Sequence, residues 1–363
     1  MLKRLSDTRI GRSVARHWLT LAFVAGFVVD NLTLNRVDQI FDNAILASYV
    51  VLSMMALMVL YASSANKFPE RINPFLRKYA PLLVQFTFGG LLSGMLIFYG
   101  RSGDWMASWP FLLIIILVIY GNETIEDRAG RLVFNLAIFF VGLFSYMVLI
   151  IPVMLGQMGA LIFIGSGLIA LFITYCFILV LFRVIPNFLG FHLRAVVFTL
   201  GAIYATMNAF YFLNIIPPIP LSLKELGIYQ SVIRYEDGRY QLKYEAGEWW
   251  EVWKQSDTEL HVRAGTNIFC FAQVFAPTKI NTDIFHSWEF YDEAEGAWVE
   301  RSRISYPILG GRDGGYRGYT LISSHEPGRW RCKVETERGQ VLGREYFTIT
   351  REGESAPLVT RVE

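Results

Sequence analysis

Cysteine and histidine are scarce and scattered: the chain has three of one and five of the other in 363 residues. There is no C-x-x-C, and no Cys/His set has zinc-ligand spacing. H-E-x-x-H, G-x-S-x-G and G-x-x-x-x-G-K-[ST] are all absent, which argues against metalloprotease, serine hydrolase and P-loop chemistry. No metal, cofactor or catalytic residue is therefore expected. The chain also lacks a concentrated basic patch, so a nucleic-acid partner is not expected either. Charge itself is unevenly rare. Residues 1–225 hold 16 Lys+Arg and 10 Asp+Glu, mostly between long apolar runs, whereas residues 226–363 hold 17 and 21. The net charge of +2 hides a basic, apolar half and a mildly acidic half of ordinary soluble density.

The apolar half contains runs at 18–34, 44–63, 79–99, 105–120, 132–155, 159–182 and 193–216. About 20 mostly apolar residues suffice to cross a bilayer. Within hydrocarbon each backbone N–H and C=O must be satisfied inside its own segment, so these runs predict seven transmembrane helices. The first is the weakest, because its unbroken apolar stretch, 19–29, is short and follows basic residues as a signal peptide does. No small-x-small cleavage site follows it, so a retained span is expected. Basic residues alternate across the connections. Lys3, Arg4, Arg9, Arg12, Arg16, Lys67, Arg71, Arg77, Lys78, Arg128, Arg131, Arg183 and Arg194 fall on one side, and only Arg36 and Arg101 on the other. The bias predicts a cytoplasmic N-terminus, and an odd number of crossings delivers the C-terminal half to the opposite side, the periplasm of a Gram-negative cell.

Asp30, Arg36 and Asp38 form a polar cluster at the outer end of the first span, with Asp42 close behind. Asp30 is expected at membrane depth with Arg36 as its partner. Ionisable groups there are costly and face protein or water, so the cluster is either an ion pair fixing a tight connection or part of a pathway. Glu123, Glu126 and Asp127 follow the fourth span on the inner side. Polar residues within spans are few (Gln85, Thr174, Thr206 and Asn208), which counts against a channel or ion-coupled carrier. Cys176, inside an apolar run, reads as a small core residue. Gly90-x-x-x-Gly94 and Gly159, Gly165 and Gly167 let helices approach closely. They serve either internal packing or a homodimer face.

The seventh span stops at Pro217-Pro218-Ile219-Pro220, because proline cannot continue a helix interior. A short interfacial turn is expected over 221–227. The period then changes to two. Segments 228–235 and 239–244 flank Glu236-Asp237-Gly238, a hairpin signal. Trp249, Trp250 and Trp253 follow, fit either for a headgroup layer or for a core. Strands are expected at 267–275, 284–291, 298–308, 316–323, 329–335 and 344–350. Regular short strands with turn signals predict an antiparallel, immunoglobulin-like sandwich. Cys270, Trp288 and Cys332 fall in order on three of these strands, a loose match to the layout of such domains. A Cys270–Cys332 bridge and two unpaired buried thiols are both open outcomes.

The stretches 286–291, 310–318 and 327–331, and the run 334–347 ending in Tyr346-Phe347, resemble a family of uncharacterised bacterial inner-membrane proteins whose C-terminal domain is one of unknown function. Asp30-x-Leu32-Thr33-Leu34-x-Arg36-x-Asp38 and Pro217-Pro218-Ile219-Pro220-Leu221 are similar too, so the resemblance covers nearly the whole chain. It implies a bacterial envelope location and no particular activity.

The expected organisation is a seven-helix membrane bundle (1–220), a junction with a short helix, hairpin and Trp-rich segment (221–260), a periplasmic β-sandwich (261–351) and a flexible tail (352–363). In the run 310–318, glycines permit close backbone approach and arginine forks match carboxylate or phosphate. Arg312, Tyr316 and Arg317, with His286 and Trp288 nearby, are the expected ligand or partner surface. The alternative is a tight turn whose arginines are bonded locally. The function expected is a non-enzymatic envelope role in which the module contacts a protein, a glycan or a lipid headgroup. The runner-up is a membrane-embedded transporter or lipid-handling enzyme working near Asp30, Arg36 and Asp38. A sensor signalling inward is a third reading, without a visible cytoplasmic output domain.

Overall fold

The computed structural model describes residues 27–363 apart from 29, 35, 37, 125–128, 247–254, 278–279, 313 and 352–356, with only the backbone of 123–124. The sequence expectations that fall on the N-terminal tail, on most of the first span, on Glu123, Glu126, Asp127 and Arg128, and on Trp249, Trp250 and Trp253 lie outside the described residues. The chain divides into two compact units, Met1–Gly100 with Trp109–Leu213, and Arg101–Ser108 with Asn214–Glu363.

Six helices among the described residues are long and apolar enough to cross a membrane, and they make this a multi-pass membrane protein. They are α1 (Ile40–Ser64), α2 (Asn73–Ser102), α3 (Trp105–Thr124), α4 (Leu132–Leu155), α5 (Ala160–Val184) and α6 (Pro186–Phe212). Residues 30–33, at the end of the first expected span, are also helical. The helix boundaries have local causes. Ile185, at φ −131° and ψ 59°, is driven out of the helical region by the proline that follows, and Pro186 then restarts the chain at the head of α6. The sixth connection expected over 183–192 is therefore mostly helix. At the far end Asn214 takes φ 56°, a conformation asparagine tolerates, before the prolines arrive.

The outward faces of this unit are greasy: Leu161 is 84% exposed, Phe198 78% and Phe172 65%. Apolar side chains so exposed belong against lipid. Cys176 is exposed on α5 as well, not the small core residue the sequence suggested. Thr174 and Asn208 return their side-chain donors to the carbonyls of Ala170 and Tyr204 one turn back.

The Gly90–Gly94 pair is filled from inside the unit. A methyl group on Gly90 would stand 2.5 Å from the Tyr49 ring, and one on Gly94 2.7 Å from Leu46. Gly167 is likewise covered by Tyr204 and Phe144, whereas Gly159 and Gly165 face open space. Gly90 lets Tyr49 lie flat across α2, and from there its hydroxyl reaches Asp30 at 3.4 Å. Ser93, one turn along, donates to the other carboxylate oxygen. Asp30 thus takes hydroxyl partners where the sequence suggested Arg36. Arg36 forks onto Asp38 at 2.8 and 3.0 Å, and its backbone N–H donates to Asp42. Gly90→Ala is expected to cost about 1–3 kcal/mol through overpacking. Its thermal midpoint in detergent should fall, and Tyr49→Ala should restore part of the loss, because the two residues share one space.

The second unit is β-rich, with eleven strands among the described residues: β1 (Ser222–Tyr229), β2 (Ser231–Arg234), β3 (Tyr240–Glu245), β4 (Glu259–His261), β5 (Ile268–Phe275), β6 (Asn281–Asp292), β7 (Ala297–Leu309), β8 (Tyr316–Ile322), β9 (Gly328–Thr336), β10 (Val341–Thr350) and β11 (Leu358–Val362). They form three sheets, ordered β1-β5-β8, β4-β10-β9-β6-β7 and β11-β3-β2. All pairings are antiparallel except β4 with β10.

Alternation of side chains on β5 sets the layering. Ile268 and Cys270 point into a core shared with Trp288, Trp330, Cys332, Phe347 and Ile349 of the five-stranded sheet. Phe271 and Phe269 point the other way, against Tyr229, Val232, Tyr240 and Leu242. The second of these clusters joins β5 to the small β2–β3 hairpin. The hairpin anticipated from Glu236-Asp237-Gly238 is present, with Gly238 at φ 83°. Two expectations are corrected. Residues 221–227 do not form an interfacial turn but run largely within β1, which pairs with β5 from Ser222↔Phe275 to Tyr229↔Phe269. The supposed flexible tail supplies β11, which pairs with β3 from Leu358↔Glu245 to Val362↔Gln241.

Cys270 and Cys332 form a disulfide, with Cα atoms 6.5 Å apart and a sequence separation of 62. Trp288 stands directly across from Cys332, and Thr320 directly across from Cys270. The Trp288 indole donates to Thr320 at 3.0 Å, so a hydrogen bond and a covalent bond tie the two sheets side by side. Removing the bridge with Cys270→Ala and Cys332→Ala should cost about 2–4 kcal/mol. A thermal melt of the double variant should show the loss, and reductant should lower the parent midpoint while leaving the variant unchanged.

Candidate functional site

Of the five residues expected to share a surface, two are in the core. His286 and Trp288 are fully buried on β6. This corrects the expectation that they help line a pocket: inward and outward positions alternate along β6, and both take inward ones. The His286 ring is held at both ends, by the Thr320 hydroxyl at Nδ1 and the Tyr306 hydroxyl at Nε2, each at 3.0 Å. One ring nitrogen donates and the other accepts, as a neutral imidazole requires. Burial pushes its pKa down to about 3. Cys270, His286 and Cys332 bring their ligand atoms within 4.8 Å of one another. The sulfurs are bonded to each other and both ring nitrogens are engaged, so the three do not fit a metal ion.

Tyr306 carries this core outward. Its ring lies over Gly318, where a methyl group would come within 2.4 Å, and it stacks on Tyr316 at 6.5 Å. Arg312, exposed in the β7–β8 loop, sits 5.0 Å over the Tyr316 ring. Around it the glycines do structural work. Gly310 has no room for a methyl group, which would strike the Pro277 carbonyl at 1.8 Å. Gly311 and Gly315 both take φ 94°, and their N–H groups bond to the carbonyls of Ala276 and Arg312. The N–H groups of Gly310, Gly311 and Gly315 are thus spent on the turn. Arg317 is paired with Glu363, 3.7 Å away, so it joins the C-terminal strand and not an open surface.

A residue the sequence reading passed over, Arg234 on β2, comes to the same place. Its guanidinium lies 6.0 Å over the Tyr240 ring, and the Tyr240 hydroxyl donates to the Arg317 carbonyl at 3.3 Å. Burial raises the Tyr240 pKa, and Arg234 and Arg312 both pull it back, so both cations are within electrostatic reach of that phenol. Neither has a carboxylate partner among the described residues. Arg234 was invisible in advance because it is 78 positions from Arg312 and sits on a different sheet.

Several other cations of this unit are paired with carboxylates. On the outer face of the five-stranded sheet, Arg331 and Lys333 bind Glu289, and Lys333 and Arg303 bind Glu335. Burial opposes ionisation of Glu289, but hydrogen bonds from Lys333 and Arg331 outweigh it and hold the carboxyl below its usual range. Arg329 and Arg331 also cover the rings of Tyr291 and Trp298, at 3.9 and 4.3 Å. Two further features carry no sequence motif. His261 meets buried Glu245 at 3.0 Å. A groove is lined by Arg301, Ser302, residues 321–326 and Trp330. Each gathers residues from separate strands or loops, so neither spacing nor composition reveals it.

The buried histidine makes stability pH-dependent. His286 stays neutral in the folded chain down to about pH 3 but takes a proton near pH 6.5 when unfolded. The unfolded state binds more protons between those values, so stability falls as pH drops below about 6.5. Denaturant titrations at pH 7 and pH 5 should show a smaller drop for His286→Gln than for the parent chain.

The family model described as "Protein of unknown function (DUF2914)" matches residues 281–349. That segment runs from the first residue of β6 to the last residue but one of β10, so it takes in the groove and Arg312 but not Arg234. No curated protein matches the chain. A solved structure, Pseudomonas fluorescens alkylpurine DNA glycosylase AlkC bound to DNA containing an abasic site analog, is similar at 9% identity over 87% of this chain and 99% of that one. The TM-score is 0.20, too low for that likeness to bear on fold or function.

Proposed function

We propose that this chain is a seven-span bacterial inner-membrane protein that displays an immunoglobulin-like β module in the periplasm and there binds an anionic group on an envelope partner, without catalysing a reaction. The observation that carries the reading is the pair Arg234 and Arg312. Both are exposed, both lie against tyrosine rings, and neither has a carboxylate partner among the described residues. Guanidinium forks over aromatic rings suit carboxylate or phosphate. The compartment and topology rest on the 13-to-2 bias of basic residues across the connections. The inter-sheet disulfide agrees with an oxidising location.

The membrane cluster gives less support to transport or lipid handling. Asp30 is occupied by two hydroxyls, and Arg36 is forked onto Asp38. These contacts anchor the start of the bundle.

Purification of the intact protein in mild detergent, followed by identification of co-purifying proteins and lipids, tests the reading. The double variant Arg234→Ala/Arg312→Ala, at equal abundance, should lose a partner that the parent retains, and added salt should release that partner from the parent. An unchanged partner profile contradicts the assignment.

A further inference from the structure

We propose that the basic connection between α1 and α2, together with the first turns of α2, is a binding site for an anionic phospholipid. Lys67, Arg71, Arg77 and Lys78 gather there, with Glu70 as the single acid between residues 65 and 80. These cations are all exposed, and none has a carboxylate partner among the described residues. The charge-free stretch 79–100 of α2 is long enough to cross the hydrocarbon, so residues 73–78 fall in the headgroup layer. The site belongs to the helical unit and does not rest on the Arg234–Arg312 reading.

The connection is ordered by its own backbone. α1 ends with Asn66 at φ 52°, and the N–H groups of Asn66 and Lys67 return to the carbonyls of Ser63 and Ala62, closing a left-handed helix cap. The Ile72 and Asn73 N–H groups both bond to the Pro69 carbonyl, and the Asn73 side chain donates to Asn66 Oδ1 at 2.8 Å. Lys67 and Arg71 are therefore presented from a fixed turn, and less ordering remains to be done when a headgroup arrives.

The surface beside these cations changes character along α2. Phe75, Lys78, Tyr79, Leu82 and Phe86 recur at helical spacing on one exposed face. The Phe75 and Tyr79 rings have their centroids 4.6 Å apart, and the Lys78 ammonium stands 5.2 Å over the Tyr79 ring. Leu82 and Phe86 continue the face into the hydrocarbon. Cations, an aromatic pair and an apolar stripe thus follow the order of phosphate, glycerol and acyl chain in a phospholipid. Aromatic rings favour that middle layer. Basic side chains at the end of a span attract anionic headgroups. Free phosphate would meet only the cations, and an acidic peptide would leave the stripe unmatched. A zwitterionic lipid fills the stripe, but its own ammonium offsets the attraction. An anionic phospholipid satisfies cations and stripe together.

The full chain in a neutral detergent is offered phosphatidylglycerol and phosphatidylcholine of matched chain length in equal amounts, and bound lipid is read by native mass spectrometry. Phosphatidylglycerol should be retained about tenfold over phosphatidylcholine. Arg71→Gln/Lys78→Gln should bring the two lipids level, whereas the charge-keeping Arg71→Lys/Lys78→Arg should hold the preference. Arg183→Gln/Arg194→Gln, which removes the same charge elsewhere in the helical unit, should leave it intact, and so should Arg234→Ala/Arg312→Ala. Excess inorganic phosphate or a glutamate-rich peptide should not displace the bound lipid. All the substituted positions are exposed, so the variants are expected to fold, and a thermal melt checks that they do. Equal retention of the two lipids by the parent, a preference that survives Arg71→Gln/Lys78→Gln, or its loss in the charge-keeping variant overturns the proposal. An equal loss in Arg183→Gln/Arg194→Gln overturns it in favour of overall charge. Displacement by phosphate or by the peptide overturns it in favour of that ligand, and a loss in Arg234→Ala/Arg312→Ala moves the lipid to the β unit.

Discussion

The β unit depends on a single strand being buried on both faces. β5 sends Ile268 and Cys270 to one side and Phe269 and Phe271 to the other, so it is the inner member of two cores at once. On the first side the Cys270–Cys332 bond and the Trp288–Thr320 hydrogen bond hold the facing sheet. On the second, Phe271 meets Tyr229 and Tyr240 edge to face, which docks the small hairpin sheet. A strand shifted by one residue would exchange the cysteine for a phenylalanine and break both arrangements together. Tyr306 exploits the same constraint, crossing a position on β8 where only glycine leaves room.

Charge pairing in this unit is uneven. The outer face of the five-stranded sheet is a ladder of matched charges, with arginines laid over the aromatic rings beside it. It is self-satisfied and has little left to offer a ligand. The surroundings of Tyr240 are different. There Arg234 and Arg312 both lie within electrostatic reach of the buried Tyr240 phenol, and neither has a carboxylate partner among the described residues.

Periodicity made much of this architecture legible in the sequence. The run 132–155 became a helix with those bounds, and the strands from β5 to β10 fall within a few residues of their expected places. The sequence order Cys270, Trp288, Cys332 also anticipated which residues meet, because inward positions on alternating strands converge on one core. What could not be read came from long-range pairing. β11 is five residues of ordinary composition, and its strand identity comes from β3, more than a hundred residues upstream. Ser222–Tyr229 carries two charges and follows prolines, so it looked like a turn until β5 supplied its partner. The candidate site was half legible. The glycine/arginine run marked a special loop, but whether His286 faced solvent depended on strand phase. Arg234 gains meaning only from neighbours that no spacing predicts.

The account requires the β unit to mature in an oxidising compartment, with its two sheets covalently joined. The direct measurement is the oxidation state of Cys270 and Cys332 in growing cells, trapped by acid, alkylated before and after reduction, and read by mass spectrometry of the full chain. The account predicts that these two residues become alkylated only after reduction, while Cys176 is alkylated beforehand. Free thiols at both positions in freshly trapped cells would contradict it.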